Sequence, residues 1–189
     1  MKRIFLIRHG EIPSNTINRY AGRSDEELTD DGIRQVREVS KKLEAYPIKR
    51  LFTSPLRRAV QTAEIVGELF NLTPIVEPDL KELRLGPWEG LCEKEIAKQY
   101  PEEWFVWYTN PAKLDLPGRE RLEELVERAV RAMERIRDGM SDEESVAAVT
   151  HVAVIRVLFL WAQDYKLSLY KNITVPNGAI LDLFAGDFI

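Results

Sequence analysis

Arg3-Ile4-Phe5-Leu6-Ile7-Arg8-His9-Gly10-Glu11 is a short apolar run that ends abruptly in charge and a glycine. The run is too short for a solvent-facing helix. Bounded by glycine, it reads as a buried, parallel strand, and the carboxyl ends of such strands are where open α/β sheets place their ligands. One strand therefore delivers an arginine and a histidine together to a position suited to chemistry. The expectation from this stretch is that His9 is a nucleophile and Arg8 holds the anion it attacks.

Composition bounds what the rest of the chain can add. The 189 residues are 44% hydrophobic and 31% charged, which suits one compact domain over 1–189 and argues against disorder. With a net charge of −4 there is no global basic field to recruit nucleic acid or an anionic membrane, so any anion site is local. Lys2-Arg3 is followed by too brief an apolar run for a signal peptide, and no stretch approaches the roughly 18 apolar residues of a transmembrane helix. The lone Cys92 excludes an internal disulfide and fits a cytoplasmic location; it reads as a small, half-buried hydrophobe rather than a reactive thiol.

Beyond the first strand, Ile12 to Glu27 is a long polar connection, a length that compact domains usually reserve for function. Thr29 reads as an N-cap for a helix carrying Ile33, Val36, Ser40 and Leu43 on one face to about Ala45. Ile48–Thr53 is a second strand. Ser54-Pro55 has the hydroxyl and proline of a helix start, with Leu56, Ala59, Ala63, Val66 and Phe70 as its buried stripe. Ile75-Val76 is a third, short strand, and Pro78 to Gly90 an irregular loop. Glu93 to Tyr108 reads as helix broken at Pro101, with Trp104, Phe105, Trp107 and Tyr108 expected in the core. Leu122, Leu125, Ala129, Met133 and Ile136 form a helical stripe ended by Gly139.

Ser145–Thr150 is a second convincing buried strand, ending on His151 and followed by an apolar helix to Trp161. Ile173–Val175, a turn at Asn177-Gly178, and Ile180–Phe184 suggest a terminal hairpin, whose edge is open to dimerisation. Strands alternating with helices argue for an α/β sandwich with a mostly parallel sheet and an antiparallel edge strand.

The chain has two histidines, and each follows an apolar, β-branched run. Two lone histidines without HExxH or paired CxxC give no support for a metal, and no GxxxxGK[ST] or GxGxxG loop supports a nucleotide. Neutral histidine can instead act as a covalent nucleophile. A phosphoryl group is its natural electrophile beside arginines, whose planar forks bind phosphate oxygens in pairs.

The run Arg8-His9-Gly10-Glu11 with Asn15 resembles the histidine phosphatase superfamily, or phosphoglycerate mutase-like family, whose members carry Arg-His-Gly at the end of the first strand. The likeness continues in order through Arg19-Tyr20-Ala21-Gly22, Thr53 to Ala63, Glu82 with Gly86 to Gly90, and Val149-Thr150-His151. It implies a three-layer α/β/α sandwich. It also implies that His9 is the phosphorylated nucleophile, that Arg8, Arg58 and His151 neutralise the phosphoryl oxygens, and that Glu82 is the general acid and then base. Asn15 is expected to bind phosphate as well, and Arg19 and Gly22 to line the mouth. Glu11 is expected to orient an arginine or the loop.

Three positions depart from the family pattern: Val152 where glycine usually follows the second histidine, Ala21 where glutamine is common, and Pro117-Gly118-Arg119-Glu120-Arg121 without the usual serine. The short length is similar to the branch that includes broad-specificity and α-ribazole phosphatases. The resemblance therefore implies hydrolysis of a small phosphorylated metabolite through phosphohistidine, with no metal and no other cofactor. A phosphoglycerate mutase and a non-catalytic anion-binding protein of the same fold are the alternatives.

Overall fold

Six strands form one sheet in a computed structural model that describes residues 3–142, 144–184 and 186–189. β1 (Arg3–Arg8), β2 (Ile48–Thr53), β3 (Ile75–Val76) and β4 (Ser145–Thr150) are parallel. β5 (Ile180–Asp182) runs antiparallel to β1, and β6 (Asp187–Phe188) antiparallel to β5. Across the sheet the order is β3-β2-β4-β1-β5-β6, which is the mostly parallel sheet with an antiparallel edge expected from the alternation of elements.

The helices are α1 (Pro13–Thr16), α2 (Asp30–Ser40), α3 (Arg57–Phe70), α4 (Glu93–Gln99), α5 (Pro101–Thr109), α6 (Leu122–Asp138) and α7 (Val152–Ala162). Strand side chains alternate between faces. Ile4, Leu6, Phe52, Val146 and Ala148 meet the apolar stripes of α6 and α7, whereas Phe5, Ile7, Leu51, Ala147 and Val149 meet those of α2 and α3. Two cores thus sandwich the sheet, giving three layers. Thr29 caps α2 as read, its Oγ1 accepting from Gly32 N at 2.9 Å, and a 3-10 turn over Lys41–Ala45 completes the segment.

Three local expectations are corrected. Ser54-Pro55 does not begin a helix: Leu56 occupies the cap of α3, and the Ser54 hydroxyl, which accepts from Leu56 N at 3.3 Å, is hydrogen-bonded to His151 instead. Ile173–Val175 is not a strand, because its carbonyls receive side chains rather than a neighbouring strand. Arg156 Nε donates to Ile173 O at 2.8 Å and Arg8 to Val175 O at 2.5 Å. The turn at Asn177-Gly178 is present, but it leads β5 onto β1, and the terminal hairpin is β5–β6. The aromatic cluster is split. Trp88 and Trp107 are buried with edge contact at 6.1 Å, while Phe105 and Tyr108 are exposed. Among the described residues no helix is long and apolar enough to cross a membrane.

Candidate active site

β1 and β4 lie side by side, yet the chain leaves them on opposite faces of the sheet, towards α2 after β1 and into α7 after β4. A crevice at the strand ends follows from that divergence. Because Arg8 pairs with Thr150 on the last rung, His9 and His151 both emerge at this crevice, with ring centroids 5.2 Å apart.

Both rings are buried. His9 Nδ1 lies 2.7 Å from Gly10 O. A carbonyl can only accept, so Nδ1 carries the proton and Nε2 keeps its lone pair. Burial, reinforced by the charges of Arg58 and Arg8, holds the pKa of His9 well below the ordinary histidine value. Gly10 is required here because a Cβ would stand 2.7 Å from Gly32 O and 2.8 Å from Val36 Cγ2. His151 Nε2 meets Ser54 Oγ at 2.7 Å, and its pKa is also held low, by burial and then by Arg58 and His9.

Arg58 stands in the first turn of α3, where its position on the inner face makes it almost wholly buried; its guanidinium donates to Gly22 O at 2.5 Å and Ser24 O at 2.8 Å. Its neighbour Arg57 faces solvent and pairs with Glu27. Burial lowers the pKa of Arg8 to about 10, with Glu82 opposing the shift. Among the described residues, three buried nitrogens near His9 lack any protein partner: Arg8 Nε, Arg58 Nε and His151 Nδ1. Buried polar atoms are nearly always paired, so a convergent set of unpaired nitrogens around His9 is a place for an anion.

The other predicted residues come together around it. Arg8, His9, Asn15, Arg19, Gly22, Arg58 and Glu82 line a single cavity of about 920 Å³. Glu82 is buried, with Oε1 accepting from Leu83 N at 2.7 Å, and burial raises its pKa despite that bond and the nearby Arg58 and Arg8. Asn15 Oδ1 accepts from Ile12 N at 3.2 Å and Asn177 Nδ2 at 2.9 Å, which leaves its NH2 group to donate. Arg19 is engaged with the protein, donating to Gly90 O and to Glu95 at 2.8 Å. Gly22 lines the cavity as expected, and its carbonyl also holds Arg58. Among the described residues Glu11 meets no arginine. Its carboxylate accepts from Thr29 Oγ1 at 2.9 Å and so ties the strand exit to the start of α2.

Residues 4–184 match the histidine phosphatase superfamily (branch 1). The chain belongs to that superfamily. It is 33% identical over 187 residues to phosphoglycerate mutase-like protein 4 of Arabidopsis thaliana, covering 97% of this chain and 80% of that protein. It is 29% identical over 179 residues to phosphoserine phosphatase 1 of Hydrogenobacter thermophilus, covering 95% and 84%. The solved structure of YhfR from Bacillus stearothermophilus superposes with a TM-score of 0.88 at 30% identity, over all of this chain and 95% of that one.

Within this histidine phosphatase superfamily chain, the sequence did not reveal how Ser54, Asn177, Arg156, Tyr170 and Lys171 serve the cavity. Asn177 Nδ2 lies 3.2 Å from both His9 O and Gly10 O, so a residue read as turn former also fixes the His9 peptide. Arg156 lies over Tyr170 at 5.1 Å, and Lys171 over Tyr108 and Trp104 at 4.8 and 5.1 Å. Arg156, Tyr170 and Lys171 all line the cavity. A signal was available for another missed residue: Arg128 is a charge lying on the apolar stripe of α6, three residues past Leu125 and four before Ala132.

Proposed function

We propose that the chain hydrolyses small phosphomonoesters through a covalent phosphohistidine on His9, without a metal. The observation that carries the reading is the set of unpaired buried nitrogens on Arg8, Arg58 and His151 around a histidine whose Nε2 lone pair is free. Arg8 and Arg58 bind the phosphate oxygens and the charge that spreads over them in the transition state. In this reading the Ser54 hydroxyl, 2.7 Å from His151 Nε2, donates to it, which leaves the ring's proton on the unpaired Nδ1 for the same oxygens.

His9 Nε2 forms a bond to phosphorus as the ester P–O bond breaks. The raised pKa of Glu82 favours the protonated carboxyl, which gives its proton to the departing alkoxide. The resulting carboxylate then takes a proton from water as the water oxygen bonds to phosphorus, releasing phosphate and restoring His9. Asn15 adds a hydrogen bond to the phosphate, and Arg19 shapes the rim. The relative named phosphoserine phosphatase 1 supports hydrolysis as the outcome, with phosphorylated amino and hydroxy acids or α-ribazole phosphate as members of the first panel to assay.

Incubation with p-nitrophenyl phosphate and a panel of cellular phosphomonoesters in EDTA tests this. Release of phosphate and acid-labile labelling of His9 are expected. His9→Ala should remove both, lowering turnover by roughly 10⁴ or more while leaving the circular dichroism unchanged. A chain that releases no phosphate and traps none would be a non-catalytic anion binder. Passage of phosphate between hydroxyls of 3-phosphoglycerate, with a trace of the bisphosphate, would identify a mutase.

A further inference from the structure

We propose that Glu120, Arg128 and Arg23 form a positioning network that fixes the peptide of Glu82 and thereby the aim of its carboxyl; this rests on the phosphatase reading above. Residues 79–84 lie mostly outside regular structure, so their carbonyls have no helix or strand to bond with. Side chains supply the donors. Arg128 donates to Asp79 O at 2.6 Å, Lys81 O at 2.7 Å and Glu82 O at 3.1 Å, and Thr150 Oγ1 donates to Leu80 O at 2.8 Å. Arg23 Nε adds a second bond to Glu82 O at 3.0 Å.

Both arginines that grip the Glu82 carbonyl are in turn held by one buried carboxylate. Glu120 accepts from Arg128 at 2.6 and 3.0 Å, from Arg23 at 3.3 Å and from Arg84 N at 3.1 Å, and its own N–H donates to Arg84 O at 2.8 Å. Burial alone would raise the pKa of Glu120, but the bonds and charge of Arg128 bring it below the usual carboxylate range, so the group is ionised. Arg23 also sits between Gly22 and Ser24, whose carbonyls hold Arg58. Three consecutive residues therefore link the anion-binding arginine to the peptide of the proton donor. None of the network's members needs to touch substrate.

Arg23 is the safer variant, because it is partly exposed and Arg23→Met leaves the buried Arg128–Glu120 pair intact. Glu120→Gln keeps the acceptor shape but removes the charge. Each is assayed on an alkyl ester, glycerol phosphate, and on p-nitrophenyl phosphate, whose leaving group needs little protonation. A misaimed acid should lower kcat/KM, which reports phosphorylation of His9, by about 10- to 100-fold on the alkyl ester, with a distinctly smaller loss on the aryl ester and the basic limb of the kcat/KM–pH profile displaced. Equal losses on both esters with an unmoved pH profile would reduce the network to a structural role and overturn the proposal, as would full activity of Arg23→Met on both. If Glu120→Gln fails to fold, Arg23→Met decides alone. Wild-type protein inactive on every ester would instead refute the phosphatase reading, and this inference with it.

Discussion

At the residue scale, one ring atom's proton decides what His9 can do. The Gly10 carbonyl fixes the proton on Nδ1, and burial between two arginines keeps the ring neutral. The same burial leaves a signature in stability. An unfolded chain protonates both histidines near pH 6.5, whereas the native rings do not, so below that pH the unfolded state binds more protons and stability falls on acidification. The slope is at most about 1.4 kcal/mol per pH unit for each histidine. Glu82 acts in the opposite sense: its native pKa is raised above 4.5, so its contribution declines as pH rises through that window. Urea midpoints between pH 7 and 5 should therefore drop less steeply for His9→Gln than for wild type; parallel lines would contradict a neutral native ring. Glu82→Gln should slow phosphorylation by an alkyl phosphate by about 10²- to 10⁴-fold and by p-nitrophenyl phosphate much less, as read from kcat/KM on the two esters.

At the element scale, the crevice depends on how closely α2 approaches the exit of β1. A Cβ on Gly32 would stand 2.3 Å from Glu11 O and 2.8 Å from Glu11 N, both backbone atoms. In an open helix Gly→Ala gains about 1 kcal/mol, but here the helix would have to move off the strand exit. Gly32→Ala is expected to destabilise by about 1–3 kcal/mol in urea unfolding, the range for overpacked contacts. A net gain would mean that α2 is free to shift. This approach was partly legible in the sequence, because Thr29 was recognisable as a cap. The buried strands were legible as well, since Ile4–Ile7 and Val146–Val149 are apolar on both faces. What misled was chemistry shared by two uses. Ser-Pro announces a helix start, yet the Ser54 hydroxyl serves His151, and Ile173–Val175 has strand composition while its carbonyls serve Arg156 and Arg8. Sequence periodicity reports burial; it does not report which donor a backbone carbonyl finds. Glu82, one carboxylate among several near it, was assignable only through resemblance.

At the scale of the whole molecule, an acidic chain carries a basic mouth. The net charge is −4, whereas Arg8, Arg19, Arg58, Lys94, Arg156 and Lys171 line the cavity against Glu82 and Glu93. Attraction of a dianionic ester by that local field is screened once the Debye length shrinks from about 10 Å at 0.1 M salt to a few ångströms at 1 M. Across that range kcat/KM should fall several-fold while kcat stays nearly level, measured with an inert salt; a constant kcat/KM would show that the field does not assist capture. The place of β1 has a different kind of consequence. It is paired on both sides, with β4 and β5, and His9 N donates to Thr150 O at 3.1 Å. Fraying of the β6 edge or opening of the mouth need not disturb that strand, so the His9 amide is expected among the last to exchange its hydrogen with solvent. Exchange at the β1 and His9 amides should thus report global unfolding rather than local opening.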